Sequence, residues 1–357
     1  ALPLMSDSAR FFSAPNAFTK PLFDQLKRHP KRIVFSNGED PRILHVAERM
    51  VELGIGVPII LGNRGRIRAM AADLGVKMDL VNVIQPDLAS DFKLFCDRLE
   101  RIERYRGITG INAAEIISQP DYFAAMMVQY GQADACLSGN ISTPAGVFRP
   151  ILHLIAPDPK VECVFAVSIL VSETLPNFGK DGILFLSDCG LVPEPNVEEL
   201  ASIAIETGKL AKHYMCRRVH VALLSHSTKG TSTTAPALKV QAATALARQK
   251  VSALDFDIDG ELQADVALDP SAAEIKLPEQ ERKDPADVLI FPSLDAAHIS
   301  LKLLQHLGGA QNYGQLICGL KRPAGQVPRT ASEETILGTA AALGVEAIKF
   351  HELYPRG

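Results

Sequence analysis

The chain of 357 residues is long enough for two domains, and its composition is that of an ordinary globular protein. Hydrophobic residues make up 47% of the chain and charged residues 22%, which argues against intrinsic disorder. The formal net charge is -4, Trp is absent, and basic residues form no stripe along the sequence. These features argue against a nucleic-acid partner, which would need a basic surface or stacked aromatic side chains.

Targeting and metal-binding signals are also missing from the sequence. No apolar run approaches the roughly 20 residues of a membrane-spanning helix, and the longest, 161–171, predicts a buried strand. The first 20 residues lack the pattern of a secretory signal. The six cysteines are scattered without metal-ligand spacing, which is typical of reduced thiols. We therefore expect a cytoplasmic protein with no metal site and no membrane partner.

Short β-branched runs alternate with amphipathic stretches, and this rhythm predicts a mainly parallel sheet covered by helices. A first helix is expected at 21–28. A strand at Lys31–Phe35 is followed by a helix from Pro41 to about Leu53, since Pro suits the first helical position. The next helix is expected at Arg64–Leu74. The other predicted strands are Val57–Leu61, Ala135–Leu137, Ile183–Leu186, Val219–Leu224, Phe256–Ile258, Val288–Phe291 and Leu316–Cys318.

Two places in the sequence mark candidate crossings between domains. Pro150 and the loop at 156–159 put the first crossing near residue 152, and Gly308-Gly309 put the return near residue 308. The predicted domains are 1–152 with 308–357, and an inserted domain of 153–307.

The first of four polar clusters that follow predicted strands is Ser138–Pro144. Open parallel sheets bind ligands at this edge, where loops meet helix N-termini. Gly139 permits a tight turn, Thr143 is a good N-cap and Pro144 a good first helical residue. Free backbone N–H groups at a helix start favour an anion, and Arg149 follows on the same segment. A capped helix with a surface arginine is the alternative interpretation.

The second cluster is Ser187–Gly190. Asp188 lies at a strand end, where it could orient a substrate, and Cys189 follows it. Packing is the alternative role for this thiol. The helix beyond has Asn196 and Glu199 at the spacing of a capping box.

The third cluster, 225–232, is rich in hydroxyls and glycine and contains one lysine. This composition suits a phosphate or a nucleotide-bearing ligand, although the spacing is not that of a P-loop. A plain flexible loop is the alternative. The acidic stretch at 259–265 is expected to follow a strand, with Gly260 in a turn and its carboxylates acting as caps.

The fourth cluster is Pro328–Thr335. Thr330 and Glu333 have the spacing of a capping box, so Arg329 is expected just before a helix N-terminus. A guanidinium group matches the geometry of phosphate oxygens. The alternative is a loop arginine paired with Glu333 or Glu334.

In this order the clusters resemble the phosphate acetyl/butyryltransferase family across about residues 30–345. The stretches that carry the resemblance are KRIVFSNGEDPRIL (31–44), ADACLSGNISTPAGVFRPIL (133–152), LFLSDCGLVPEPNVEELASIAIETGKLAK (184–212), VALLSHSTKGTS (221–232), DGELQADVALD (259–269), ADVLIFPSLDAAHISLKLLQHLGG (286–309) and GLKRPAGQVPRTAS (319–332).

The resemblance implies two α/β/α domains like those of isocitrate and isopropylmalate dehydrogenases, an active site in the cleft between them, and a homodimer. It implies the phosphotransacetylase reaction, in which acetyl-CoA or another short acyl-CoA and phosphate are interconverted with acyl phosphate and coenzyme A. In that family a carboxylate deprotonates the thiol within a ternary complex, while arginines hold the phosphate. Coenzyme A is then a substrate, and no permanently bound cofactor is expected.

Carried over by residue, the resemblance gives catalytic roles to Arg149, Arg329 and Asp188, with Glu334 as the candidate base. The two guanidinium groups are expected to converge, across the crevice between the domains, on one phosphate. The residues expected to bind phosphate or coenzyme A are Ser142, Thr143, Cys189, Ser225, Ser227, Thr228, Lys229, Gly230 and Thr330.

Four positions depart from the family pattern: Glu103, Phe165, Pro328 and Thr335. They motivate a second hypothesis, a non-catalytic acyl-CoA-binding module, because the same stretches resemble the C-terminal domain of large bacterial malic enzymes. That domain generally lacks the arginine found here at 329, which favours an enzyme. An NAD-linked dehydrogenase is a third hypothesis, and it is disfavoured because no G-x-G-x-x-G follows a predicted strand.

Overall fold

The computed structural model divides the chain into two compact units, Ala1–Pro157 with Leu320–Gly357, and Asp158–Gly319. The predicted α/β class is confirmed, because strands and helices alternate through both units. The residues that the structure describes are 12–102, 111–175, 177–251, 256–278 and 284–353.

The strands are short and mostly buried. Their bounds are β1 (Lys31–Phe35), β2 (Gly56–Leu61), β3 (Asn82–Ile84), β4 (Ala135–Ser138), β5 (Phe165–Val171), β6 (Ile183–Ser187), β7 (Val219–Leu224), β8 (Phe256–Leu262), β9 (Val288–Ile290), β10 (Gln311–Cys318) and β11 (Ala324–Gln326).

The helices connect these strands. Their bounds are α1 (Thr19–Arg28), α2 (Pro41–Leu53), α3 (Arg64–Leu74), α4 (Phe92–Arg101), α5 (Ala113–Ile117), α6 (Pro120–Gln129), α7 (Pro144–Leu154), α8 (Val197–Met215), α9 (Ala235–Lys250), α10 (Ala264–Leu268), α11 (Pro270–Lys276), α12 (Leu294–His306) and α13 (Glu333–Leu353).

The first unit contains a parallel sheet in the order β3-β2-β1-β4-β11. The chain moves one way through β1, β2 and β3 and returns to the far side of β1 for β4. Because crossovers between parallel strands are right-handed, α2 and α3 lie on one face and the connection through α4, α5 and α6 on the other. The carboxyl ends of all five strands therefore lie at one edge of this sheet.

The second unit contains a mixed sheet in the order β10-β5-β6-β9-β7-β8. β5 runs antiparallel to both neighbours, and the β6, β9, β7 and β8 pairs are parallel. A core of buried side chains lies against this sheet, including Leu186, Leu289 and Phe291. The loops after β6 and β7, which hold the second and third polar clusters, leave the same edge of this unit.

Local sequence signals account for several helix boundaries. Asp40 caps α2 by accepting from the N–H of Arg42, and Gly54 ends it in the left-handed conformation. Thr143 caps α7 with Pro144 as its first residue, as predicted. The predicted capping box of Asn196 and Glu199 is present at α8, with both reciprocal hydrogen bonds.

Other boundaries differ from the prediction. β8 runs through Leu262, so the acidic stretch lies partly in a strand and Gly260 is not in a turn. β10 begins at Gln311 rather than 316 and pairs with β5, so the compact units divide at 157/158 and 319/320, whereas the sequence placed the crossings near 152 and 308. Two three-residue strands, β3 and β11, were not predicted, because segments this short carry no periodicity.

Within the described ranges, no helix has the length and apolarity needed to cross a membrane.

Candidate functional site

Three loops meet at the carboxyl edge of the first unit's sheet. The loop after β4 lies tight against the loop after β11, because Val327 donates its N–H to the carbonyl of Ser138 at 2.9 Å. Gly139 has φ +109°, and a Cβ at this position would lie 2.3 Å from the carbonyl oxygen of Val327. Only glycine fits this close approach, so the predicted turn residue also joins two loops. The three loops are residues 36–40, 139–143 and 327–332.

Arg42, in the first turn of α2, ties these three loops together. Its Nε and Nη2 bind the carboxylate of Asp40, at 3.1 and 2.6 Å. Nη2 also donates to the carbonyl of Asn140 at 2.9 Å, and Nη1 donates to the carbonyls of Arg329 at 2.9 Å and Ala331 at 2.7 Å. One guanidinium group thus fixes the main chain on both sides of the predicted anion site. The sequence pattern did not predict this role.

Asp40 is the buried partner of that guanidinium, with its side chain 5% exposed. Burial raises the pKa of Asp40, but hydrogen bonds from Arg42 and Asn140 outweigh burial and leave the pKa below its ordinary value. The hydrogen bond with Asp40 likewise raises the pKa of Arg42. The pair is therefore ionised at neutral pH.

The two predicted phosphate ligands, Arg149 and Arg329, both belong to the first unit and are both exposed. Arg149 lies on α7, which follows β4, and Arg329 lies in the loop after β11, so neighbouring strands lead to both. Within the described ranges, neither guanidinium has a protein hydrogen-bond or ion-pair partner. Arg149 is five residues after Pro144, so the rise of an α-helix places it about 8 Å along α7 from Pro144. Side chains on a helix point toward its N-terminus, which directs Arg149 back toward the helix start.

A network of hydroxyl groups surrounds Asp121, in the first turn of α6. Its Oδ1 accepts from Ser36 Oγ at 2.5 Å and its Oδ2 from Ser142 Oγ at 2.9 Å. The hydroxyl of Ser36 is also 2.7 Å from that of Ser138, and Asn37 Nδ2 donates to Ser142 at 3.0 Å. Ser142, a predicted ligand, is thus held by a carboxylate that the sequence did not single out.

The start of α13 differs from the predicted capping box. The helix begins at Glu333, and Ser332 accepts from the N–H of Thr335 at 3.2 Å. Ser332 is therefore the cap, and Thr330 is an exposed residue of the preceding turn. Glu334, the candidate base, is partly exposed, and its carboxylate accepts from Ser13 at 3.5 Å.

In the second unit, the carboxylate of Asp188 organises its own loop. It accepts backbone N–H groups from Ala166 at 2.8 Å, Gly190 at 2.9 Å and Val192 at 2.5 Å, and also from Leu191. The residue is 3% exposed. Burial raises the pKa of Asp188, and the backbone donors oppose that rise. This carboxylate is directed at main chain rather than at solvent.

Cys189 is fully buried, and its thiol lies 3.4 Å from the carbonyl of Leu186. Burial, and then the neighbouring Asp188 carboxylate, raise the pKa of this thiol well above its ordinary value. A thiol in such surroundings stays protonated and unreactive. The geometry favours the packing role for Cys189 over contact with a ligand.

The loop after β7 is anchored by Glu261, which lies in β8 and is 1% exposed. Its Oε1 accepts from Ser227 Oγ at 2.9 Å, from the N–H of Gly230 at 2.7 Å and from Gln241 at 3.1 Å. Burial raises the pKa of Glu261, but these hydrogen bonds outweigh burial and leave the pKa below its ordinary value. The loop has a buried anchor, so the alternative of a plain flexible loop does not fit.

Only part of this loop faces outward. Ser227 and Thr228 are buried, whereas Ser225 is partly exposed and Gly230 exposed. The ammonium group of Lys229 donates to the carboxylate of Asp259 and, at 2.9 Å, to the carbonyl of Gly260. Of the predicted coenzyme A ligands here, Ser225 and Gly230 present groups to solvent, and Lys229 is partly exposed although its ammonium group is paired.

A cavity of about 220 Å³ lies elsewhere in the second unit, between β7, β8 and the α10–α11 segment. Its lining is mainly apolar, with Leu262, Val266 and Leu277 among its residues. The residues predicted from the sequence to bind substrate do not line it.

The residues that depart from the family pattern have different structural surroundings. Phe165 opens β5 and is fully buried, and Pro328 precedes Arg329 in the turn that leads to α13. Thr335 lies in the first turn of that helix, beside Ser332. Glu103 lies outside the described residues.

Chemically, the edge of the first unit combines two exposed guanidinium groups, helix starts and a carboxylate bonded to serine hydroxyls. Guanidinium groups and helix N-termini bind anions with phosphate geometry, and a carboxylate can accept a proton. The arrangement suits transfer of a group to or from phosphate.

Comparison with known proteins agrees with this chemistry. The family model for phosphate acetyl/butaryl transferase matches residues 17–343. The phosphate acetyltransferase of Acetivibrio thermocellus is 34% identical over 335 residues, covering 93% of this chain and 98% of its own. That of Thermoanaerobacterium thermosaccharolyticum is 34% identical over 328 residues, covering 91% of this chain and 98% of its own.

Solved structures give the same result. A phosphotransacetylase from Streptococcus pyogenes matches with a TM-score of 0.82 at 30% identity, covering 92% of this chain and 98% of its own. The EutD phosphotransacetylase from Staphylococcus aureus matches with a TM-score of 0.80 at 30% identity, covering 92% and 98%. The chain therefore belongs to the phosphate acetyl/butaryl transferase family.

Proposed function

We propose that this protein is a phosphate acyltransferase that interconverts a short acyl-CoA and phosphate with the acyl phosphate and coenzyme A. The observation that carries the proposal is the pair Arg149 and Arg329, exposed on segments that follow neighbouring strands β4 and β11. Membership of the family gives the reaction class, and these two residues supply the charge that phosphate requires.

The reaction is a direct displacement in a ternary complex. The sulfur of coenzyme A attacks the acyl carbon, and the bond from that carbon to the phosphate oxygen breaks. A thiol titrates near pH 8.5, so few molecules are thiolate at neutral pH and a positioned base accelerates the step. Arg149 and Arg329 stabilise the phosphate as it leaves with the bonding electron pair.

The remaining predicted residues take roles that match their surroundings. Thr143 starts α7, whose N-terminus favours an anion, and Thr330 exposes its hydroxyl beside Arg329. Glu334 is the base predicted from the sequence. Ser225 and Gly230 contact coenzyme A, while Ser227, Thr228 and Lys229 shape the loop that presents them. Asp188 and Cys189 act as positioning and packing residues.

The test is release of coenzyme A from acetyl-, propionyl- and butyryl-CoA on addition of phosphate, followed with a thiol reagent. We expect phosphate-dependent release with at least one of the three. Arsenate in place of phosphate should give continuous release, because acyl arsenates hydrolyse. A protein that binds acyl-CoA in calorimetry but releases none would instead be the non-catalytic binding module, and the proposal would fail.

We also propose that the protein acts as a cytoplasmic homodimer. All six cysteines are free, as expected for a reducing compartment. On α12 and at its C-cap, Ile299, Leu303 and Leu307 are 58%, 53% and 83% exposed and lie at intervals of four residues, an apolar face that a second copy would cover. Light scattering at micromolar concentration should give about twice the chain mass of 38.6 kDa. A mass of one chain would contradict the dimer.

A further inference from the structure

Asp121 and Ser142 form a carboxylate–hydroxyl pair at the edge that carries Arg149 and Arg329. Asp121 lies in the first turn of α6. Asp121 and Ser142 are partly exposed, so this end of the network is open to a ligand. The other three members, Ser36, Asn37 and Ser138, are buried.

The direction of each hydrogen bond in this network follows from the chemistry of the Asp121 carboxylate. An ionised carboxylate can only accept, so Ser36 and Ser142 each give their one hydroxyl proton to Asp121. Ser36 then has no proton left for Ser138, and it accepts from Ser138 across their 2.7 Å contact.

The amide of Asn37 fixes the other side of Ser142. Its Oδ1 accepts from the N–H of Gly139 at 3.1 Å and lies 3.3 Å from Ser142 Oγ, while its Nδ2 donates to Ser142 at the shorter distance of 3.0 Å. Ser142 therefore accepts one hydrogen bond and donates one. A second lone pair on its oxygen is left, and it can accept a proton from a ligand.

We infer that Asp121 takes the proton of the coenzyme A thiol through the hydroxyl of Ser142, an inference that rests on the proposed function. The thiol proton passes to Ser142 Oγ while the hydroxyl proton of Ser142 passes to Asp121 Oδ2. The sulfur electron pair forms the bond to the acyl carbon, and phosphate leaves with the electrons of the carbon–oxygen bond. In the reverse direction phosphate attacks the thioester, and the departing thiolate recovers its proton from the same pair.

This pair is an alternative to Glu334 as the base of the reaction. Thr335 stands where the family has an aspartate, and its hydroxyl cannot serve as a base at neutral pH. Glu334 is adjacent, but the hydrogen bond that its carboxylate accepts from Ser13 is long, at 3.5 Å. Asp121, by contrast, accepts from the partly exposed hydroxyl of Ser142 at 2.9 Å. Because Asp121 acts on the thiol only through Ser142, it is a positioning residue.

The experiment measures acetyl phosphate and coenzyme A turnover between pH 6 and 9 for the wild type, Asp121→Asn and Ser142→Ala. At pH 7 we expect kcat to fall about 10²- to 10³-fold in Asp121→Asn, the lower part of the range for a general base, with KM for acetyl phosphate within about threefold. The difference in kcat between Asp121→Asn and the wild type should become smaller as pH approaches about 8.5, because the thiolate then forms without a base.

Matched variants separate a proton relay from a structural effect. The double variant Asp121→Asn/Ser142→Ala should be no slower than the slower single variant, because the two groups act in one step. Asp97→Asn, an exposed carboxylate on α4, should match the wild type. Thermal unfolding of each variant establishes that it is folded, and Ser142→Ala tests the relay if Asp121→Asn does not fold.

The failures of the two proposals are distinguishable. An inactive wild type overturns the proposed function and the relay with it. An active wild type with Asp121→Asn unchanged, or with a deficit equal at every pH, overturns the relay alone. The relay is also overturned if Glu334→Gln, rather than Asp121→Asn, shows the pH-dependent deficit.

Discussion

Replacing Arg329 by Ala is expected to lower kcat/KM for phosphate about 10³-fold while leaving the protein folded. The guanidinium group is exposed and has no partner among the described residues, so its removal disturbs no packing. It does remove a fixed positive charge from the phosphate, and loss of one such donor costs about 10²–10³ in rate. Steady-state kinetics in acyl-CoA and phosphate would measure the loss, and the melting temperature should stay within about 2 °C.

Two further variants sharpen this prediction. Arg329→Lys keeps the charge but not the planar fork, so it should recover only part of the activity. Arg68→Ala removes an equally exposed arginine from α3 and should have no effect. Full activity in Arg329→Ala would remove the main support for the phosphate site.

The sequence predicted those features of the site that depend on neighbouring residues. Pro41 starts α2, and Thr143 and Pro144 start α7, because a cap and a first-turn proline act within four residues. The family resemblance supplied Arg149 and Arg329 for the same reason, since each lies in a short recognisable motif.

The sequence did not predict features that depend on contacts between distant segments. Asp121 is 85 residues from Ser36 and 21 from Ser142, and Arg42 is 287 residues from Arg329. Nothing local marks either residue, because an acidic first-turn residue and an arginine after a proline are common on helices. The paired loops become visible only once β1, β4 and β11 lie side by side.

Two errors show tertiary structure overriding a local signal. Asp259-Gly260 predicted a turn, but pairing of β8 with β7 continues through it, with an irregularity in the register. A Cβ at Gly260 would lie 2.5 Å from Thr244 Oγ1, so this glycine allows close packing inside a strand.

At the start of α13, the sequence contains two overlapping capping patterns. Ser332 prevails over Thr330, whose neighbours Arg329 and Ala331 are held by Arg42 in a turn.

Replacing Arg42 by Ala is expected to lower both activity and stability. The loop that carries Arg329 would lose two carbonyl hydrogen bonds, and a displacement of about 1 Å costs about 10²-fold in rate. The carboxylate of Asp40 would stay buried without its cation. Because Arg42 is itself 24% exposed, we expect a loss of about 2 kcal/mol in the free energy of unfolding, below the cost at a fully buried pair.

Epistasis and pH dependence test this role of Arg42. Arg42 acts on phosphate through the main chain of Arg329, so adding Arg42→Ala to Arg329→Ala should cost little further activity.

The folded-state pKa of Asp40 lies below its unfolded value of about 3.9. The stability that the ionised Asp40 gives the folded protein is therefore complete above pH ~5 and is lost as pH falls through the folded pKa. The difference in unfolding free energy between wild type and Asp40→Asn should therefore narrow from pH 6 to pH 3. Additive activity losses, or a difference that does not change with pH, would show that Arg42 does not join the loops through Asp40.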